Sequence, residues 1–267
     1  MTALVLSAGG MYGAYQAGAW KVLAGVFRPD IVVGASIGAV NAWAIAGDCT
    51  PEELEQRWLN LDVMGRLPWR LPRRPWHGVL DSRPIQKMIQ ELHASSKPMR
   101  ECGIVLTETR SLRPRLFRAP DITWRHLAAS TAVPGIYEQY RIDGRFYSDG
   151  GLMNALPLWA AAQMGAKRIV AIDVLPKPSS AVVRAMAGSL RRVARFHPPV
   201  PADIEIIRFG PSNARWSPRD LVVWSRTNAA AWIREGETDA AKTACDIKAR
   251  MAWPVSAPRP EESASLA

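Results

Sequence analysis

Short β-branched and aliphatic runs alternate with longer stretches of helical spacing along most of the chain. Residues 3–7 (ALVLS), 30–34 (DIVVG), 103–109 (GIVLTET), 168–174 (RIVAIDV) and 203–210 (DIEIIRFG) have the length and composition of strands. Segments whose apolar residues recur at helical intervals separate most of them. Strands that alternate with helices in this way pair in parallel and are covered by the intervening helices, so the pattern predicts an α/β fold with a mostly parallel central sheet. One helix start is marked residue by residue. Thr50 is an N-cap, Pro51 occupies the first helical position and Glu53 brings acid into the first turn, which places a helix over PEELEQRWLNL.

Two junctions carry more than secondary structure. In IVVGASIGAV, residues 31–40, a buried strand gives way within a few residues to a helix that is apolar nearly all round. Gly34 and Gly38 carry no Cβ, so the helix can close on the strand while Ser36 takes the strained backbone of a sharp strand-to-helix turn. G-x-S-x-G is the pattern of a nucleophile elbow, although a Gly-rich turn accounts for this stretch equally well when it is taken alone. Earlier, in VLSAGGMYGAYQAGAWKVL, residues 5–23, a strand runs into Gly9 and Gly10 and then into a helix. Unpaired N–H groups at a helix start, with the positive end of its dipole behind them, make an anion site. Such a site holds the oxyanion of an ester hydrolase or the phosphate of a nucleotide. The dinucleotide fingerprint is missing, because Ala8 stands where its first glycine belongs and no acidic residue closes the next strand.

A third stretch, RFYSDGGLMNALPL (145–158), contains Asp149 followed by Gly150 and Gly151. Alone it reads as a hairpin turn. Together with the serine elbow and the glycine loop, it supplies a carboxylate for a Ser–Asp dyad, Asp149 taking the proton of Ser36 directly. A triad in the order Ser, acid, His requires a histidine after Asp149. Only His197 qualifies, and it lies in the proline-rich RFHPPV; His77, His93 and His126 show no partner pattern.

Composition narrows the setting. The 267 residues are 48% apolar, enough for one substantial core, and a single domain is expected over residues 1–253. From Pro254 the chain turns to Pro, Ser and Glu, so residues 254–267 are expected to be a disordered tail. The net charge of +10 favours anionic surfaces. No RNA-recognition signature, zinc-finger spacing or G-x-x-x-x-G-K-[ST] is present, so nucleic acid is not the expected partner. Cys49, Cys102 and Cys245 are odd in number with no C-x-x-C, which fits a reducing compartment and core positions rather than a disulfide framework or a zinc site. No cofactor or metal site is expected. The uncharged first twenty residues lack the basic start of a secretory signal, and the uncharged stretch 31–47 is short for a span, so a cytoplasmic protein is expected.

Two segments suit a membrane surface. Residues 65–78, GRLPWRLPRRPWHG, interleave Arg66, Arg70, Arg73 and Arg74 with Trp69 and Trp76, the composition of a lid or interfacial patch as well as of a solvated loop. Residues 180–196 place Val182, Val183, Met186, Leu190 and Val193 opposite Arg184, Arg191, Arg192 and Arg195. That stripe suits a helix covering the sheet, or one lying on anionic lipid.

Taken together, four blocks resemble the patatin-like phospholipase family in its order: SAGGMYGAYQAG its oxyanion loop, GASIG its nucleophile elbow, ASTAVPGIY (129–137) its S-x-A-x-P block, and DGG its aspartate motif. Residues 233–240, IREGETDA, are similar to its closing helix. The resemblance implies a three-layer α/β/α fold and a serine acyl hydrolase of lipid esters, with Ser36 as nucleophile and Asp149 as general base. It implies an oxyanion hole from the N–H groups of Gly9, Gly10, Met11 and Ile37, with Gly13, Gly34, Gly38, Gly150 and Gly151 as motif glycines. Two positions depart from the family: Ala8 replaces the first loop glycine, and Tyr12 stands where Arg or Lys is usual. These departures leave open a binding or regulatory protein on the same fold. The acyl-enzyme itself also serves an acyltransferase or a polyester depolymerase.

Overall fold

The computed structural model describes residues 1–61, 68–69, 71–72, 74, 76–175, 199–212 and 224–251. The expected amphipathic helix 180–196, His197, the tail 254–267 and much of the Arg/Trp segment lie outside the described residues.

All five predicted strands are present, as β1 (Thr2–Leu6), β2 (Ile31–Ala35), β3 (Glu101–Glu108), β7 (Arg168–Ile172) and β8 (Glu205–Phe209). The pairs β1–β2, β2–β3, β1–β7 and β7–β8 are parallel. Three further strands, β4 (Arg113–Arg118), β5 (Tyr140–Ile142) and β6 (Arg145–Ser148), add antiparallel pairs, so the sheet, eight-stranded among the described residues, is mixed but mostly parallel. Alternation along the strands separates two cores. Leu4, Leu6, Val32, Val170 and Ile172 face one side, and Ala3, Val5, Ile31, Val33, Ile169 and Ala171 the other. The first side is covered by α1 (Gly13–Leu23), α2 (Ile37–Ala46), α3 (Pro51–Leu59), α4 (Arg83–Ser95), α5 (Trp124–Ser130) and the long α7 (Arg226–Met251). The second is covered, among the described residues, by α6 (Leu158–Gln163) through Trp159, Ala160 and Ala161.

The start of α3 carries a capping box, Thr50 Oγ1 accepting from Glu53 N at 3.1 Å and Glu53 Oε2 accepting from Thr50 N at 3.0 Å. Helix α2 is buried at all ten positions, which explains the absence of a polar face in its sequence. Of the three cysteines, Cys49 and Cys102 are buried, but Cys245 is exposed on α7 and does not belong to the core.

Taken alone, the Asp149-Gly150 stretch reads as a hairpin turn, but the hairpin lies earlier in the chain. Asp143 (φ 47°) and Gly144 (φ 79°) join β5 to β6 with the two left-handed residues that a two-residue turn needs, which frees Asp149 to follow the end of β6.

Candidate active site

Register places the site. Strand β3 pairs with β2 over residues 101–105 and with β6 at Thr107 and Glu108, while β4 runs beside it from 103 to 108. A strand has only two edges, so β2 and β6 share the edge opposite β4 and meet nearly end to end. Ser36 follows Ala35, whose partner is Val105; Asp149 follows Ser148, whose partner is Thr107. Residues 113 positions apart in sequence are thereby brought together: Ser36 Oγ donates to Asp149 Oδ2 at 2.5 Å.

The serine is held at a strained corner. Its φ of 55° and ψ of −129° lie in a region that side-chain-bearing residues seldom occupy, a conformation that costs about 1–3 kcal/mol. The two glycines permit it. A Cβ at Gly34 would fall 2.1 Å from the carbonyl oxygen of Gly38, and one at Gly38 would fall 2.5 Å from those of Leu6 and Ser7. Ser36 N donates to Ser130 Oγ at 2.9 Å, and the same hydroxyl donates to Val105 O at 2.8 Å, so Ser130 ties the elbow to β3. The S-x-A-x-P block containing Ser130 was visible in sequence, but its role was not, because only the fold brings α5 beneath the elbow.

Asp149 is buried and well anchored. Its Oδ1 accepts from Gly151 N at 2.7 Å, and its backbone carbonyl accepts from Thr107 Oγ1 at 2.8 Å. Burial pushes its carboxyl up to about 6, against the opposing pull of the hydrogen bonds from Ser36 and Gly151. Gly150 passes so close to β3 that a Cβ there would lie 1.9 Å from Val105 O.

Ser36 and Asp149 open into a chamber of about 280 Å³ lined also by Gly9, Gly10, Met11 and Ile37. Gly9 is extended (φ 171°) and Gly10 left-handed (φ 54°), and the loop then winds through a 3-10 turn, Gly10–Tyr12, into α1. None of the hydrogen bonds found among the described residues engages the N–H of Gly9, Gly10, Met11 or Ile37. Behind the loop runs a buried polar chain. Gln16 Nε2 donates to Ser7 O, Asn41 Nδ2 to Gly13 O and Gln16 Oε1, and Trp58 Nε1 to Asn41 Oδ1, all within 3.1 Å. The chain locks α1, α2 and α3 behind the loop; its members carry no signal in the sequence.

The two unusual loop positions have a structural account. Ala8 is not among the left-handed residues, and its N–H donates to Ala155 O at 2.8 Å. Its methyl occupies the space that a side chain at residue 151 would need, since a Cβ on Gly151 would come within 2.2 Å of it. Tyr12 does not line the chamber; its ring packs on Trp232 of α7 with centroids 4.7 Å apart. Two of the histidines between the motifs, His93 and His126, are engaged elsewhere, while His77 Nδ1 is buried without a hydrogen-bond partner among the described residues. His93 stacks on Trp43 and bonds Ile122 O, and His126 Nδ1 accepts from Thr123 N at the start of α5. Among the described residues, no group of three or more His, Cys, Asp or Glu side chains converges as metal ligands would, and no helix is long and apolar enough to cross a membrane.

Known proteins place this arrangement in a family. The solved structure of VipD from Legionella pneumophila superposes with a TM-score of 0.56 over 92% of this chain and 67% of that one, at 12% identity, a likeness of fold alone. The human patatin-like phospholipase domain-containing protein 6 is 28% identical over 183 residues, covering 64% of this chain and 13% of that protein. This chain thus spans only a small part of the length of such relatives. The uncharacterized protein YjjU of Escherichia coli strain K12 is 41% identical over 51 residues, 19% of this chain and 14% of that protein. The family model described as patatin-like phospholipase matches residues 4–162, more than half of the sequence and all four chemistry-bearing blocks, and the chain belongs to that family.

Proposed function

We propose that the protein is a serine acyl hydrolase of lipid esters that works through a Ser36–Asp149 dyad. Membership of the family implies lipid acyl hydrolysis in general terms. The observation that carries the finer reading is the 2.5 Å hydrogen bond from Ser36 Oγ to a buried carboxylate, beside a loop of uncommitted N–H groups. In the proposed sequence, Ser36 Oγ attacks the ester carbonyl while its proton passes to Asp149 Oδ2. The N–H groups of Gly9, Gly10, Met11 and Ile37 take the negative charge that develops on the carbonyl oxygen. Collapse expels the alcohol, which recovers the proton from Asp149 and leaves an acyl-Ser36. A water molecule then gives its proton to Asp149 and attacks the acyl carbon, and the fatty acid departs as Ser36 regains the proton. The proton that leaves with the alcohol is replaced by one from water, so the dyad ends the cycle as it began.

Intact mass after treatment with a fluorophosphonate probe tests the reading. One adduct is expected on the wild type, none on Ser36→Ala, and slow labelling of Asp149→Asn. Absence of an adduct on folded wild type overturns the reading and favours a binding or regulatory role on the same fold.

The same reading assigns substrate capture to an anionic lipid surface. It is supported by the net charge and by Trp69 and Leu71, which are 81% and 91% exposed. Their segment adjoins the site: Val79 N and Leu80 N donate to Gly135 O and Ile136 O, next to the chamber residues Ile136 and Tyr137.

A further inference from the structure

The chamber over Ser36 is not the largest hollow in the molecule. A groove of about 1110 Å³ runs between α2, α3 and α4, and the two cavities share three lining residues, Ile37, Val40 and Met88. Ile37 and Val40 are three apart on α2 and so lie one above the other on one face. Met88 lies on α4 between the faces used by the two cavities. Ile85 and Ile89 of the same helix line the chamber, whereas Lys87 and Glu91 line the groove. An unbranched, flexible thioether therefore stands where the cavities adjoin.

We propose that Met88 is the gate between a catalytic chamber and an acyl-chain groove, and that the enzyme prefers long-chain acyl esters whose distal methylenes lie in that groove. The inference rests on the acyl-hydrolase reading given above and adds the part of the substrate that it leaves unassigned. Size argues for it first. The chamber lies just below the roughly 300–1,000 Å³ that ligand pockets usually offer, so a chain longer than the chamber must leave it, and the wall shared with the groove, Ile37, Val40 and Met88, is apolar and leads to the larger hollow. Chemistry argues the same way. Among the described residues, the chamber carries no charged side chain besides Asp149, and the groove floor of Ala44, Leu54, Trp58 and Leu92 is apolar. Charges of both signs, Glu52, Arg57, Lys87 and Glu91, stand along the groove, where a hydrocarbon chain would lie below them. A lipid headgroup would instead require charges of one sign converging on one point, as phosphate sites do. Met88 and the floor are thus positioned to set chain length without touching the reacting atoms.

The test is the ratio of kcat/KM for p-nitrophenyl palmitate to that for p-nitrophenyl butyrate. Burial of a methylene is worth about fourfold in binding, so blocking the passage to even two of them lowers the ratio by at least about tenfold. That fall is expected in Met88→Trp, which narrows the gate, and also in Leu61→Lys, which sets a charge in the groove away from the chamber. Fluorophosphonate labelling of each variant shows that its elbow is folded, and Leu61→Lys reads the groove independently should Met88→Trp not fold. A ratio that stays at the wild-type value in labelled Met88→Trp and Leu61→Lys overturns the inference while leaving the hydrolase reading intact. Loss of rate on diacylphospholipid vesicles with an unchanged palmitate to butyrate ratio overturns it in favour of a headgroup site. A wild type that neither labels nor cleaves butyrate overturns the hydrolase reading, and this inference falls with it.

Discussion

At the residue scale, the carboxyl of Asp149 links the proposed activity to stability. Its value rises from the ordinary carboxylate range to about 6 because burial penalises the charged form. A folded-state value above the unfolded one means that the native protein holds the proton more tightly. The stabilisation is complete below about pH 4, near the unfolded value, and is lost as pH rises through about 6. Asp149→Asn removes that loss, so its melting temperature relative to wild type is expected to climb between pH 4 and pH 7. At neutral pH the gain is on the order of 2–3 kcal/mol, while the fluorophosphonate reaction is strongly slowed. In the wild type the rate of labelling is expected to rise with pH through about 6, since the dyad needs an ionised base. A rate independent of pH from 5 to 8 would show that Asp149 is not that base.

At the scale of elements, the site depends on two strands that meet on one edge of β3 and on α5 beneath them. Ser130 is the link, taking the N–H of Ser36 and donating to Val105 O. Ser130→Ala leaves both groups buried without their partner, and a loss of about 2 kcal/mol, or about 4–8 °C in melting temperature, is expected. Because the elbow is strained, the same variant is expected to label at least about tenfold more slowly, the serine drifting from its productive geometry. A fall in stability with no change in labelling would mean that the glycines hold the corner without it. The elements themselves were largely legible. The β-branched runs of β1, β2, β3, β7 and β8 and the Thr50 cap of α3 are local signals, and the structure shows each of them. Strands β4, β5 and β6 were not legible, because RPRLFR intersperses arginine with other residues and includes proline, YRI and RFYS are short, and all three take their conformation from the edge they pair with.

At the scale of the whole molecule, the net charge of +10 and the exposed Trp69 and Leu71 bear on the proposed encounter with a lipid surface. Binding to phosphatidylserine-containing vesicles is expected to weaken as salt shortens the reach of the charges. It is expected to fall by at least about tenfold when both Trp69 and Leu71 are replaced by Ala, since the proposal has each of these apolar side chains enter the bilayer. Cosedimentation at two ionic strengths checks both, and binding that ignores salt and both substitutions would remove the lipid-surface assignment.

The sequence by itself determined the α/β class, five strands of the sheet and the serine corner, because each follows from local periodicity or from glycines that only a tight turn requires; the family followed from the resemblance of four motif blocks taken in order. Only the tertiary structure decided that Asp149 stands 2.5 Å from Ser36, that Ala8 fits over Gly151, and that Tyr12 turns away to Trp232. It also decided that Ile37, Val40 and Met88 line two cavities at once. These are relations between residues far apart in the chain, set by strand register and helix packing, and neither leaves a periodic trace in the order of the amino acids.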